Sequence, residues 1–338
     1  MPGGRGTTPD PPEARHCGST GWVCGVGGVH PWEMAVMDRR LQEEVWGANP
    51  DTWIASPYAP QGVAVPSDGG YVLRGRWNFS SGTDHCDWIF LGALLGGSEG
   101  GPVEPITSMH VVLPRADYRV VEDSWDVIGL SGTGSKDIVV DGAFIPSYRA
   151  VRFEDVESGA AAARAGRGQT LYKLPFWAAF PLGITAAVIG ICEGVLSTHL
   201  SYQRDRVTAM GTAIKDDPYV LYAISEAASE IAASRIQLID GISRLYDLVD
   251  AGGEISFTDR AEVRRNQIRA AWRAVSAADE IFARSGGNAA RRNNPLQRFW
   301  RDAHVGLQHA AHISGTVYHA TALASLGVEP RGPLRALI

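Results

Sequence analysis

PFWAAFPLGITAAVIGICEGV, residues 175–195, is the stretch on which the fold turns. It is apolar almost throughout and nearly matches the run of about 20 apolar residues that a membrane-spanning helix needs. Pro175, Pro181 and Gly183 lie early in it, Glu193 lies near its end, and a polar amphipathic run follows directly. Those features predict a buried helix of a globular protein instead. The sequence stays helical beyond it, with helices predicted over 176–206, 217–251, 258–285 and 296–325. The second starts after Asp216-Asp217-Pro218 and stops at Gly252-Gly253; the third runs from a Thr258-Asp259 cap to Gly286-Gly287. Ile224, Ala227, Ala228 and Ile231 recur at the three- and four-residue spacing of one helix face. Four such helices predict an up-and-down bundle over 171–338.

Upstream of a Gly/Ala/Arg-rich linker (156–170) the texture is different. Residues 53–155 hold short runs such as YVLRGRWNF, DWIFLGALL, ITSMHVVLP and KDIVVDGAFIP, punctuated by glycine, proline and aspartate. Seven or so short strands in about 100 residues predict a compact β-barrel or sandwich. Residues 17–52 are helix-like and read as the tail of a helical region, and residues 1–16 read as a disordered leader with no apolar core of a secretory signal. The fold class expected is therefore α+β, a central β-domain followed by a four-helix bundle.

A hydrophobic share of 45% with 20% charged residues is that of an ordinary globular protein. A net charge of −6 argues against a nucleic-acid binder. Cys17, Cys24, Cys86 and Cys192 form no CxxC pair and no zinc-type spacing, which predicts free thiols in the cytoplasm and no metal site. No GxGxxG follows a strand, so the chain shows no nicotinamide-binding fingerprint.

Five motifs follow one another in order: GSTGWV (18–23) with His30 behind it, IASPYAP (54–60), WNFSSGTDH (77–85), GLSGTGSKDIVVDGAFIP (129–146) and PLQRFWRDAHVGLQHAA (295–311). Together they resemble the oxygenase components of two-component flavin monooxygenases on the acyl-CoA dehydrogenase scaffold, the group of secosteroid and 4-hydroxyphenylacetate hydroxylases. The resemblance covers roughly 17–335. It implies hydroxylation of a phenolic or aromatic small molecule by O2 and reduced flavin (FADH2 or FMNH2) through a C4a-hydroperoxyflavin. It also implies a separate NAD(P)H-flavin reductase and a homotetramer, with no membrane or nucleic-acid partner. Relatives begin with a complete N-terminal helical domain, most of which is expected to be missing here.

The resemblance assigns roles position by position. Ser81 matches the serine beside flavin N5, with Ser80 as the alternative, and Trp77 and Gly82 are expected at the same flavin. His30 and Ser56 match the pair that receives the phenolic oxygen. They are ordered with Ser81 at separations of 26 and 25 residues. His309 matches the histidine facing flavin and substrate. His304 lies about 140° away from it on a helix, whereas His312 shares its face. Cationic and backbone donors for the flavin phosphates are sought at Arg264, Arg265, Arg284, Gly286, Gly287, Arg298 and Arg301. Ser131 departs from the pattern, standing where relatives usually have arginine.

Three rivals remain open at this stage. An acyl-CoA dehydrogenase needs a carboxylate base, yet SGTVYHATAL (314–323) stands where a Glu-Gly-Thr motif often lies. A flavin N-oxygenase would use the same fold. A truncated, non-catalytic family member would keep the bundle and lose the flavin.

Overall fold

The computed structural model describes residues 12–97 and 101–338. Its first elements are short helices: α1 (Pro12–His16), α2 (Gly18–Gly27), α3 (His30–Met34) and α4 (Arg39–Trp46). Residues 12–16 were expected within a disordered leader. They form α1, which lies on the long core helix with Ala14 fully buried, because Gly21 lets α1 and α2 touch through backbone.

The strands are β1 (Ile54–Ala55), β2 (Gly62–Ser67), β3 (Gly70–Ser80), β4 (Trp88–Leu95), β5 (Ser108–Pro114), β6 (Arg119–Val121), β7 (Lys136–Pro146) and β8 (Ala150–Arg152). They make one eight-stranded sheet in the order β6-β7-β3-β2-β4-β5-β8, with β1 alongside β4. β1 and β2 run parallel to β4, and the other ladders are antiparallel. The sheet curls around one core in which Leu73, Trp77, Leu91, Val111 and Ile138 meet. Among the described residues β6 and β8 end the ladder, so the β-domain curls without being closed by hydrogen bonds.

The expected linker is partly helical, containing α5 (Phe153–Glu157) and α6 (Ala160–Arg164). Then come α7 (Phe176–Gln203), α8 (Pro218–Asp250) and α9 (Phe257–Ala283), each within three residues of its predicted ends. Asp217 caps α8 by accepting from the backbone of Tyr219 and Val220. At α9 the cap is Ser256, not Thr258; it forms a reciprocal capping box with Asp259. The fourth predicted helix is two, α10 (Pro295–Leu307) and α11 (Gly315–Ser325), separated by a break around His309.

α7 is long and apolar enough to cross a membrane, yet 67% of its most apolar window is buried inside the protein. It receives α2 at a glycine crossing. A Cβ on Gly183 would stand 2.1 Å from the Gly25 carbonyl oxygen, and one on Gly25 would stand 2.5 Å from that of Gly183. Backbone atoms at such a crossing cannot swing aside. Gly183→Ala is therefore expected to lower the unfolding free energy by about 1–3 kcal/mol, the usual cost of overpacking. Urea denaturation of the purified variant measures it; an unchanged midpoint would mean that the helices separate freely.

Candidate active site

The end of β3 departs from regular strand geometry where the motif WNFSSG begins to turn. A register shift falls between Trp77 and Ser80, Phe79 has φ 64° and Gly82 has φ 74°. Across from it, Leu130 has φ 55°. Phe79 and Leu130 are the non-glycine residues with positive φ among the described residues, and they flank the same serine, Ser81. Backbone held in the left-handed region by side-chain-bearing residues is stored strain, which concentrates at functional sites.

The loop 129–135 is pinned from the bundle. Asp302 on α10 is buried and accepts the Leu130 N–H at 2.6 Å. Burial pushes its carboxyl pKa up, against the pull of that hydrogen bond and of Arg298 and Arg301. From there the hydroxyl protons run in one direction. Thr133 Oγ1 donates to the Leu130 carbonyl at 2.7 Å, so it must accept from Ser135 at 2.7 Å. Ser135 then accepts from Ser81 at 2.8 Å. Trp22 of α2 donates its indole N–H to Ser81 Oγ at 3.2 Å. Ser81 has spent its proton, and its oxygen offers a lone pair to whatever lies beside it.

Trp22 also packs edge-on against His309, ring centroids 5.8 Å apart. His309 does not lie on a helix, as the sequence pattern predicted; it caps the short 3-10 turn that breaks the last helical segment. Its Nδ1 accepts the Ala311 N–H at 3.1 Å, so the neutral ring carries its proton on Nε2. Burial, with Arg264 adding to it, brings the His309 pKa down to about 4. At neutral pH His309 is an uncharged donor. Its neighbour His312 is different: Nδ1 donates to the Gly306 carbonyl at 3.3 Å, and Nε2 accepts from Thr185 at 3.1 Å. Both of its nitrogens are used within the core. His304 pairs with Asp279 at 2.8 Å.

From His309 the ring contacts continue through Phe180 (6.4 Å) to Tyr58 (5.2 Å) and on to His30 (5.9 Å). His30 opens α3 and reaches Ser56, just after β1, with Nε2 and Oγ 2.5 Å apart. Burial lowers the His30 pKa to about 4, opposed by the nearby Glu33 carboxylate. A hydrogen bond between the ring and the Ile54 backbone also favours the protonated form. Thus His30, Ser56, Ser81 and His309 belong to one connected cluster, although they come from α3, the segment after β1, the end of β3 and the break in the bundle.

The cofactor expectations divide. Trp77 is wholly enclosed in the β-domain, its indole donating to the Gly92 carbonyl at 2.7 Å, so it packs the sheet and presents no face to a ligand. Ser80 is likewise fully buried, with Oγ unpartnered. Arg298 and Arg301 lie on α10 beside the loop 129–135, where Gly129 touches the Arg301 backbone. Arg301 Nε donates to Gln297 and Arg298 lies over Phe299. Arg284 is paired with Glu280, and the Gly286-Gly287 turn packs at Arg206, near the end of α7. That end lies roughly 15–25 Å along α7 from Val188, which with Trp22 abuts Gly306. Within one chain this second group stands apart from Ser81. Arg264 is buried, donating to the Ala311 and Leu337 carbonyls, and supports the His309 turn from behind.

Trp22, Glu33 and His110 are cluster members that motif matching did not single out. Trp22 lies inside the GSTGWV motif. Glu33 is one helical turn from His30, and His110 interrupts the apolar run Met109–Leu113 of its strand, which is the available sequence signal for it.

A β-domain beside a helical bundle is the layout of the acyl-CoA dehydrogenase-like fold, and the relatives of this chain are flavin-dependent oxidoreductases. Residues 182–313 match the family described as acyl-CoA dehydrogenase, C-terminal domain. A pigment production hydroxylase of Rhodococcus erythropolis is 55% identical over 320 residues, 95% of this chain and 81% of its own length. The flavin-dependent monooxygenase oxygenase subunit HsaA of Mycobacterium tuberculosis is 41% identical, over 93% of this chain and 79% of its own. The crystal structure of the HsaA monooxygenase from M. tuberculosis superposes with a TM-score of 0.87, at 40% identity, covering 97% of this chain and 85% of that one. XiaF from Streptomyces sp., solved with FADH2 and glycerol, superposes with a TM-score of 0.86 at 25% identity, covering 95% and 80%. The chain belongs to the oxygenase components of two-component flavin-dependent aromatic hydroxylases, which use reduced flavin supplied by a separate reductase.

Proposed function

We propose that this oxygenase hydroxylates a phenol whose oxygen is received by the hydrogen-bonded His30–Ser56 pair, beside a reduced flavin flanked by Ser81 and His309. The observation carrying this reading is the single run of hydroxyl and ring contacts that joins these four residues through Trp22, Phe180 and Tyr58. The donor set fits reduced flavin. Ser81 offers a lone pair, which suits an N5 that bears hydrogen, and His309 offers an N–H. When bound, reduced flavin supplies the electrons that let one atom of O2 enter the aromatic ring.

The protein's share of the chemistry is orientation, dryness and proton placement. At neutral pH His30 is uncharged and takes the phenol's proton first as a hydrogen bond. Burial opposes full transfer, and the Glu33 carboxylate favours it. A hydrogen bond of this kind raises electron density in the ring being attacked. His309 Nε2–H donates to oxygen on the flavin side. Phe180 and Tyr58 wall the space between and keep water out.

A homotetramer is part of the proposal. α8 exposes Tyr219 (80%), Tyr222 (68%) and Ile236 (68%), apolar surface that a second copy would cover. Arg284, Gly286 and Gly287, remote from Ser81 in their own chain, are then available to a flavin in a neighbouring copy. The absence of a disulfide among the described residues and the dependence on a nicotinamide-linked reductase support a cytoplasmic setting.

The test is turnover under 18O2 with a flavin reductase, NADH and a panel of phenols. One 18O atom in a hydroxylated product is expected; oxygen uptake that yields only hydrogen peroxide across the panel would refute it. A second variant tests the hydroxyl relay. Ser135→Ala removes the acceptor of the Ser81 proton and lets Ser81 donate. The preference for reduced over oxidised flavin is then expected to fall by about fivefold, the worth of one net hydrogen bond. Anaerobic titration against fluorescence titration of oxidised flavin measures the two affinities.

A further inference from the structure

A cavity of about 810 Å³ opens beside the segment that joins α3 to α4. Its volume is that of a small-molecule site. His30, Ser56, Ser81 and His309 are not among its lining residues. Its floor is apolar: Val36 and Met37, just after α3, and Val151 of β8 are buried side chains that reach it. The Tyr148 ring stands at its side, held by the Arg40 guanidinium at 4.2 Å and by a hydroxyl bond to Glu44 at 2.6 Å.

The rim is cationic. Arg39, Arg164 and Arg167 line the cavity against one carboxylate, Asp38. That excess runs against a chain whose net charge is −6. Asp38 is already engaged, accepting the Arg40 N–H at 2.8 Å with the Arg40 guanidinium 3.6 Å away. Arg39 and Arg164 each hold, through one nitrogen, a carboxylate that does not line the cavity, Glu43 and Asp155. Arg167 is different. It is half-buried, and it donates to the Ala35 carbonyl at 2.8 Å and to Gln42 Oε1 at 3.2 Å. Both acceptors are neutral, so these bonds fix the plane of the guanidinium without meeting its charge. They also leave N–H groups of its fork unused. A half-buried guanidinium held in this way is set for an anion, and a carboxylate matches its geometry.

We infer that this cavity binds a small molecule with a carboxylate head at Arg167 and an apolar body over Val36, Met37 and Val151. The site goes beyond the phenol reading and does not rest on it. Arg167 supplies the fixed contact. Arg39 and Arg164 draw the anion in from solvent, and the apolar floor gains from covering the body.

Isothermal titration of the purified full chain with octanoate, octanol and acetate tests the inference without flavin turnover. Octanoate is expected to bind about tenfold or more tighter than octanol, as hydrogen bonds to a charged group commonly give. Acetate, which has the head without the body, should bind weakest. Arg167→Met keeps an apolar stem and removes the fork, so the octanoate-to-octanol ratio should fall to about one. Arg167 also straps the end of α3 through the Ala35 carbonyl, and Arg167→Met could fail to fold for that reason. Arg39→Gln combined with Arg164→Gln changes only exposed side chains and leaves Arg167 in place. It should weaken octanoate by about threefold or more and flatten its dependence on salt. Saturating resorcinol should leave octanoate binding unchanged. Octanoate no tighter than octanol in the native chain overturns the inference, as does an unchanged ratio in a folded Arg167→Met. Unchanged octanoate affinity in the double variant overturns it too, and so does displacement of octanoate by resorcinol, which would put the acid in the aromatic cluster.

Discussion

His309→Ala is expected to cut hydroxylated product by about 100-fold or more while oxygen consumption continues, because on the proposed reading it removes the Nε2–H donor that faces the flavin. The lock is geometric. The Ala311 N–H occupies Nδ1 and leaves the proton on Nε2. His309→Gln can place an amide N–H near the same point and should recover part of the loss, whereas the shorter His309→Asn should not. Circular dichroism and the melting temperature should stay close to those of the native chain, since His309 lies in a turn and supports no strand or long helix. Product formed per O2 consumed is the deciding readout. Unchanged coupling in His309→Ala would remove this residue from the mechanism.

Mild acid is expected to destabilise the fold strongly. His30, His199, His309 and His312 are enclosed by the fold, and burial lowers their pKa values to about 4, about 4, about 4 and about 3. In the unfolded chain each returns to about 6.5. Between those values the unfolded state binds protons that the folded state refuses, so stability is complete above about pH 6.5 and is lost as pH falls toward 4. Taking the chain from pH 7 to pH 5 should then cost on the order of 1–2 kcal/mol per histidine, several kcal/mol in all. That is a large part of an ordinary protein's stability. Urea midpoints at pH 7, 6 and 5 measure it. His312→Asn, if it folds, should flatten the dependence by roughly a quarter. A midpoint that does not move between pH 7 and 5 would mean that these rings are not held neutral.

Much of the layout was legible along the chain. The 175–195 stretch, with its internal prolines and glycine, reads as a core helix because a span surrounded by lipid has no use for a polar amphipathic continuation. Helix ends at Asp217-Pro218 and Gly252 follow from local rules, since caps and left-handed glycines act over three or four residues. The break at His309 was not legible. LQHAAHISG has helix-compatible residues throughout, and only the packing of Arg264 against the Ala311 carbonyl and of His312 into Thr185 shows where the chain leaves the helix.

The site divides in the same way. Sequence by itself determined the residue types and their order: His30, Ser56, Ser81 and His309 are set in motifs whose succession carries the resemblance. It also determined that the chain lacks a nicotinamide fingerprint of its own. Tertiary structure alone decided which of these side chains meet. Trp77 sits inside the β-domain because strand alternation at the β3 bulge turns its ring inward, while Ser81, past the bulge, faces Trp22 of α2. Trp22, Glu33 and His110 joined the site because α2 crosses α7 at paired glycines and α3 packs over β5. That Ser81 donates to Ser135 and accepts from Trp22 depends on which groups lie nearest in space. Local sequence rules reach only a few residues along the chain, whereas these contacts join residues from about 50 to about 170 positions apart, so only the folded chain could set them.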